Sequence, residues 1–358
     1  MKIIHCADLH LDSKLETNLA AAIAKDRKQE ILNTFERMVA YAVTNEVRAI
    51  IIAGDMFDTA RVTNLTKTRV LNSIKKHPQV DFLYLSGNHD ESNFIGLIAE
   101  RPANLKVFGT DWTTFAYGTV KISGIVLNEQ NHATVYDTLR LGADDVNIVV
   151  MHGQVVTHAV RDNKSETINL NQLKNKQIDY LALGHIHSYS QAKLDQRGVY
   201  CYAGCLEGRG FDECGEKGFV LLDINDSTVK SQFVPFAQRQ LIELKFDITP
   251  YHDWFALEDQ ILAAVKNYRS ENLLKITLVG KYPLAWEKYV GMLEQKLGQF
   301  YFAKVKDETV LQVKVADVAH DVSLRGEFIR QVLASSLTDA EKEQTILVGL
   351  KALAGEDL

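Results

Sequence analysis

The stretch Val80-Asp81-Phe82-Leu83-Tyr84-Leu85-Ser86-Gly87-Asn88-His89-Asp90 decides how this chain reads. Its apolar half, 80–85, has the length and composition of a buried strand. Gly87 lets the backbone turn sharply where that strand ends. Asn88 then offers an amide oxygen and His89 a titratable nitrogen, side by side at a strand tip. An Asn-His pair on a loop becomes a site only where other donors converge on it.

Upstream the same grammar repeats. Residues 2–7 read as a buried strand that delivers Asp8-Leu9-His10. Over 27–45, Ile31, Leu32, Phe35, Met38, Val39 and Ala42 form one helical stripe. Ala49 to Ala53 is a second buried strand, ending at Gly54-Asp55. A helix from Thr63 to Lys76 stops before Pro78. The first 90 residues therefore read β-α-β-α-β, with polar residues where strands end. In open α/β sheets that is where sites lie.

Downstream, a short helix is expected near 94–100 and short strands over 105–126. A strand at 145–151 ends in His152-Gly153, and one at 178–183 ends in Gly184-His185-Ile186-His187. Antiparallel strands are expected over 189–235. Beyond residue 240 the polar strand ends stop. A βαβαββ-like pattern follows, with helices at 251–267 and 283–297 and strands at 273–280, 300–305 and 309–315. Residues 321–356 read as helical, with apolar stripes at Leu324, Phe328, Ile329, Val332, Leu333 and at Ile346, Leu347, Leu350, Leu353. Thr338-Asp339-Ala340-Glu341 has the form of a capping box.

Composition bounds the function. The 358 residues, 46% hydrophobic and 24% charged, suit a soluble protein of two domains with a large core. The expected parts are 1–240, 241–318 and 319–358. A net charge of -6 excludes a basic nucleic-acid coat but not a nuclease, because an acidic metal site is neutralised by its ions. No apolar run is long enough to span a membrane, and the N-terminus lacks a signal-peptide core. Cys6, Cys201, Cys205 and Cys214 form no CxxC pair and suit reduced thiols in a cytoplasmic protein.

Five strand ends present metal-type donors: Asp8 and His10, Asp55, Asn88, His152, and His185 with His187. In Asp-x-His and His-x-His the two side chains project to one side of an extended chain. Seven donors are too many for one ordinary site and suit two ions. Two ions about 3.5–4 Å apart are the arrangement used for in-line displacement at phosphorus. Oxygen and nitrogen donors without thiolate favour Mn²⁺, Fe²⁺ or Zn²⁺ over Ca²⁺, with Mn²⁺ the most comfortable. Asp55, the lone carboxylate between the two sets, is assigned as the bridge, in part from the resemblance below. His89 is one residue out of phase with Asn88, so it faces substrate, where it can protonate a leaving oxygen or stabilise the developing charge. Asp58 either orients a histidine from behind or caps the following loop. Asp90 reads as structural. His5, His77, His132, His158, His252 and His320 read as structural or solvated.

These motifs resemble the calcineurin-like metallophosphoesterases over residues 1 to about 225. Ala7-Asp8-Leu9-His10-Leu11 with Ala53-Gly54-Asp55-Met56-Phe57-Asp58 resembles the SbcD-type DNA repair exonucleases, in particular the YhaO-type bacterial proteins. The resemblance implies a four-layer α/β/β/α sandwich, Mn²⁺ dependence and cleavage of phosphodiester bonds in DNA. It implies His89 as the catalytic histidine, a capping domain after the nuclease domain, a homodimer and a long coiled-coil ATPase partner. The helical pair at 321–356 looks like the docking element for that partner, with packing of its two apolar stripes on the capping domain as the alternative; docking is favoured for the last helix and packing for the first. Archaeal and eukaryotic members carry a histidine where Asp58 stands, so that role does not transfer. Cys205 stands where relatives often have a small hydroxyl residue and reads as a packing substitute.

Candidates for DNA contact are Arg61, Lys67 and Arg69 after the Asp55 loop, and Arg161 and Lys164 after the His152 strand. A Mn²⁺-dependent DNA nuclease is the favoured expectation. The alternatives are a phosphodiesterase or phosphatase on a small nucleotide, and a metal-bound scaffold that regulates an ATPase.

Overall fold

The computed structural model describes residues 1–15, 19, 21–58, 62–88, 90, 98, 100–157, 166–283, 286–312 and 321–354. The chain divides into two compact units, Met1–Gln240 and Leu241–Leu358.

The first unit holds two six-stranded sheets. One contains β1 (Lys2–Cys6), β2 (Val47–Ala53), β3 (Asp81–Leu85), β4 (Leu105–Val107), β13 (Gly218–Asn225) and β14 (Thr228–Pro235), in the order β14-β13-β1-β2-β3-β4. The other contains β5 (Thr113–Tyr117), β6 (Val120–Gly124), β7 (Val146–His152), β10 (Tyr180–Gly184), β11 (Ser190–Lys193) and β12 (Val199–Tyr202), in the order β11-β12-β10-β7-β6-β5. The central strands of both sheets run parallel. Their C-terminal ends therefore gather on one side of each sheet.

Alternation along the strands builds the layers. Ile4, Cys6, Ile50 and Ile52 face α1 (Ala21–Thr44) and α2 (Asn64–Lys76), where they meet Phe35, Met38, Val70 and Ile74. Ile3, Ala49, Ile51 and Ala53 point the other way and pack on Ile122, Ile148, Val150 and Ala182 of the second sheet. The outer face of the second sheet, with Val149, Met151, Leu181 and Leu183, is covered by Val135, Tyr136, Leu170 and Leu173. The sandwich has its four layers, but the fourth is made of the single turns Val135–Thr138 and Leu170–Leu173 with their loops. A short parallel pair, β8 (Gln154–Val156) and β9 (Thr167–Asn169), lies beside them in sequence.

One expectation changes here and another goes untested. The segment 189–235 is not one antiparallel set: β11 and β12 extend the second sheet, where β12 runs parallel to β10, and β13 and β14 belong to the first. The helix expected near 94–100 falls almost wholly outside the described residues.

The second unit has a three-stranded parallel sheet of Leu241–Asp247, Leu273–Val279 and Phe302–Asp307. Helices Trp254–Val265 and Val290–Lys296 pack on it through Leu257, Ile261 and Leu293. The helix expected at 283–297 starts only at Val290. Pro283 holds the preceding residue extended, and Lys281–Pro283 pairs as a strand with Val310–Gln312 instead. Helices Leu324–Ala334 and Asp339–Ala354 follow. Thr338 and Glu341 form the capping box, each side chain near the other's backbone nitrogen at 3.4 and 2.8 Å. Ile329, Val332, Ile346 and Leu311 make a small core, whereas Leu347 and Leu353 stay 41% and 46% exposed. No helix among the described residues is long and apolar enough to cross a membrane.

Candidate metal centre

The donors sit where strands of both sheets end. Asp8 and His10 follow β1, Asp55 follows β2 and Asn88 follows β3. His152 closes β7, and His185 and His187 follow β10. The backbone is forced into shape to present them. Asp8, His10, Asp55 and His185 all have left-handed φ, at 51°, 43°, 51° and 97°. Such strain, of order 1–3 kcal/mol per residue, persists where the surroundings over-determine it and clusters at functional sites.

Neighbouring loops brace one another. Asp8 N donates to Gly54 O at 3.1 Å and His10 N to Asp55 O at 2.9 Å, so the two carboxylate loops run abreast. The buried Asp90 carboxylate accepts from Met56 N, Phe57 N and Gly87 N at 3.1, 2.8 and 3.1 Å, which ties the Asp55 loop to the Asn88 loop. Glycine permits the close approach. A Cβ on Gly54 would lie 2.0 Å from His152 Nδ1, and one on Gly87 would lie 2.2 Å from Asp55 Oδ1.

Two groups of side chains converge. Asp8, His10 and His187 form one, and Asp8, Asp55 and His152 the other, with the donor atoms of each within 4.8 Å of one another. Asp55 Oδ2 lies 3.8 Å from His10 Nε2 and 3.4 Å from His152 Nε2, between the two sets. Asn88 Oδ1 is 3.0 Å from His152 Nε2 at the exposed rim. His185 stacks edge-on to His152, and its backbone nitrogen donates to Asp8 Oδ1 at 2.8 Å. All seven expected donors are thus found in one neighbourhood.

The imidazoles are oriented from behind. His152 Nδ1 donates to Ala53 O at 2.9 Å, which leaves Nε2 to face the carboxylates. His10 Nδ1 lies 2.9 Å from Asp58 Oδ1, and His187 Nδ1 lies 2.7 Å from Glu213 Oε1. The Nε2 atoms of His10 and His187 face each other at 3.1 Å. Imidazole nitrogens and buried carboxylates converging on one point are the donor types a divalent cation takes. The donor set therefore fits divalent metal.

Charges in the metal-free state agree. Burial pushes the Asp8 carboxyl up to about 6, against the pull of His152. Burial would lower His152, but the hydrogen bond and charge of Asp55 and the charge of Asp8 outweigh it and raise it to about 9. Burial lowers His10 in spite of the hydrogen bond with Asp58. For Glu213, the hydrogen bonds from His187 and Arg209 outweigh burial and hold the carboxyl well below the usual range.

Glu213 and Arg209 join the site without any sequence signal that singles them out. They lie in a glycine-rich segment between strands, where no periodicity marks them. His89, Arg61, Arg161 and Lys164 lie outside the described residues. Lys67 and Arg69 are on α2, and the Arg69 guanidinium is held by Glu36 at 2.5 Å and Asn33 at 2.9 Å. Cys205 is buried with its thiol 3.5 Å from His187 O.

The profile of the calcineurin-like phosphoesterases matches residues 1–189. The chain belongs to that family, whose members use divalent metals, and it is a metal-dependent phosphodiesterase. Within the family it is of the SbcD and YhaO type. It is 20% identical over 364 residues to the DNA double-strand break repair protein Mre11 of Sulfolobus acidocaldarius, covering 94% of this chain and 90% of that one. It is 25% identical to the uncharacterized metallophosphoesterase YhaO of Bacillus subtilis, covering 65% of this chain and 60% of YhaO. It is also 25% identical to one of the subunits of the nuclease SbcCD of Escherichia coli, covering 62% of this chain and 64% of the relative.

Proposed function

We propose that this chain hydrolyses phosphodiester bonds in DNA, in the cytoplasm, as a nuclease of double-strand break repair. The observation that carries the reading is the convergence of Asp8, His10, Asp55, Asn88, His152, His185 and His187 from two sheets. The names of the relatives, a double-strand break repair protein and a nuclease subunit, support DNA as substrate.

Two divalent cations, Mn²⁺ by the donor chemistry with Fe²⁺ or Zn²⁺ as alternatives, would bring positive charge to the phosphate and lower the pKa of an attacking water. Asp8, His10 and His187 would hold one; His152, Asn88 and His185 would hold the other, with Asp55 between them. The Nδ1 contacts to Ala53, Asp58 and Glu213 keep the rings turned toward that point. His89, next to Asn88 in the chain, would give a proton to the leaving oxygen. Arg61, Lys67, Arg69, Arg161 and Lys164 are the candidates for phosphate contact. In this reading residues 241–318 cap the nuclease domain, and 319–358 dock a coiled-coil ATPase, with a homodimer as the assembly.

Digestion of end-labelled duplex DNA with Mn²⁺ tests the proposal. Wild type should cut, Asn88→Ala and His89→Ala should lose about 10²-fold or more in rate, and chelator should abolish cutting. A second reading, turnover of a small nucleotide, draws on a cavity of about 290 Å³ beside Asn88 and His152. No cutting of DNA together with fast hydrolysis of a nucleotide would replace the first reading with the second.

A further inference from the structure

Behind the metal-facing histidines one cation joins the loop after β2 to the loop before β13. Arg209 Nη1 donates to Asp58 Oδ1 at 3.0 Å, the same oxygen that lies 2.9 Å from His10 Nδ1. Its Nη2 donates to Glu213 Oε1 at 2.7 Å, the same oxygen that lies 2.7 Å from His187 Nδ1. Its Nε adds a second contact to Glu213 at 3.1 Å, and its own backbone nitrogen donates to Glu213 Oε2 at 2.7 Å. The result is a continuous chain, His10, Asp58, Arg209, Glu213, His187, in which Arg209 Nη2 also lies 3.2 Å from His187 Nδ1 itself. The base of the chain is fixed too, because buried Arg27 holds the Gly208 carbonyl at 2.9 Å and Glu207 at 2.8 Å.

We infer that Arg209 is a positioning residue for one of the two cations, setting the distance and angle between His10 and His187 through Asp58 and Glu213. The inference rests on the metal-holding reading of the site. Two carboxylates that each orient a histidine would repel each other if nothing stood between them. A guanidinium fork satisfies both at fixed spacing, whereas an ammonium is a point charge without that fork. His152 is not on this chain; it is held by the Ala53 carbonyl. Arg209 should therefore act on the site of His10 and His187 and leave that of His152 alone. Loss of such orienting contacts typically lowers metal affinity about 10–100-fold.

The test is Mn²⁺ titration by calorimetry, with the electron paramagnetic resonance of bound Mn²⁺ read in parallel and no DNA present. Wild type should bind two ions. Arg209→Gln should weaken one site about 10–100-fold and leave the other as it was, with loss of the spin-coupled signal. Arg209→Lys should fold and weaken the same site, since charge without the fork does not hold both carboxylates. Two sites of unchanged affinity in Arg209→Gln, or equal weakening of both, would overturn the inference. If Arg209→Gln does not fold, Arg209→Lys decides alone, and loss of the fold in both variants makes Arg209 a structural residue and overturns it. Absence of Mn²⁺ binding by wild type is a different result, because it removes the metal reading itself.

Discussion

Gly54→Ala puts a methyl group where the structure has none to spare. Gly54 has φ +98°, and its added Cβ would lie 2.0 Å from His152 Nδ1 and 2.5 Å from Cγ. The left-handed backbone alone costs an L-residue about 1–2 kcal/mol. A contact that short also expels the ring, which gives up the hydrogen bond to Ala53 O, worth about 1 kcal/mol net. The expected loss is about 2–3 kcal/mol of stability in chelator-treated protein. Displacing His152 should also weaken its cation about 10–100-fold. Gly118→Ala is the control: φ is +65° and nothing lies within 4 Å, so only the backbone cost of about 1–2 kcal/mol remains and metal binding is untouched. Urea unfolding followed by circular dichroism gives the first quantity and Mn²⁺ calorimetry the second. A Gly54→Ala protein within about 0.5 kcal/mol of wild type, with both ions at wild-type affinity, would refute the account of how the site is packed.

Other outcomes follow from the same contacts. A cation accepts only deprotonated donors, and metal-free His152 has its pKa raised to about 9, by Asp55 and Asp8 against burial, while burial raises Asp8 to about 6. Both shifts make protons stronger competitors, so affinity should rise with pH, and near neutrality Mn²⁺ should release about one proton; calorimetry in buffers of different ionisation enthalpy that finds none rejects this. Arg27→Ala leaves the buried Glu207 carboxylate without its cation and should cost about 3–5 kcal/mol in urea unfolding; a loss under about 1 kcal/mol contradicts the buried network. Leu347→Glu with Leu353→Glu changes exposed positions, so stability should stay within about 0.5 kcal/mol while ATPase co-purification is lost; retained co-purification sinks the docking role. Truncation before Thr338 is less clean, because it also strips Ile346 from the core it shares with Ile329.

The sequence was legible where burial and chemistry change at one point. Ile50 to Ala53 is buried from both faces of its sheet, so the run ends abruptly at Gly54-Asp55, and the abruptness is the signal. The same holds before Asp8, Asn88, His152 and His185. Asp90 read as structural, and its three amide contacts are those of a brace. Asp58 could be narrowed only to orienting or capping, since the choice depends on where His10 Nδ1 points. Glu213 and Arg209 left no trace, because a loop side chain reaches its partner through the third dimension and needs no period. The helix start at Val290 was missed because Pro283 outweighs the apolar stripe that follows it. The parallel placement of β12 was hidden for a related reason: short strands with turns carry no mark of which sheet they join.

Asp8 and His187 stand on different sheets. Around the site those sheets are joined by apolar packing and by hydrogen bonds such as those from His185 N to Asp8 and from His152 Nδ1 to Ala53 O. An ion held by both would be a reversible rivet through the sandwich. Its effect should be mechanical and spread beyond the loops: amides in the middle of β7 and β10 should exchange more slowly with deuterium when Mn²⁺ is present and faster when it is stripped. Protection confined to the loop amides would mean that the two sheets are already as rigid as they can become.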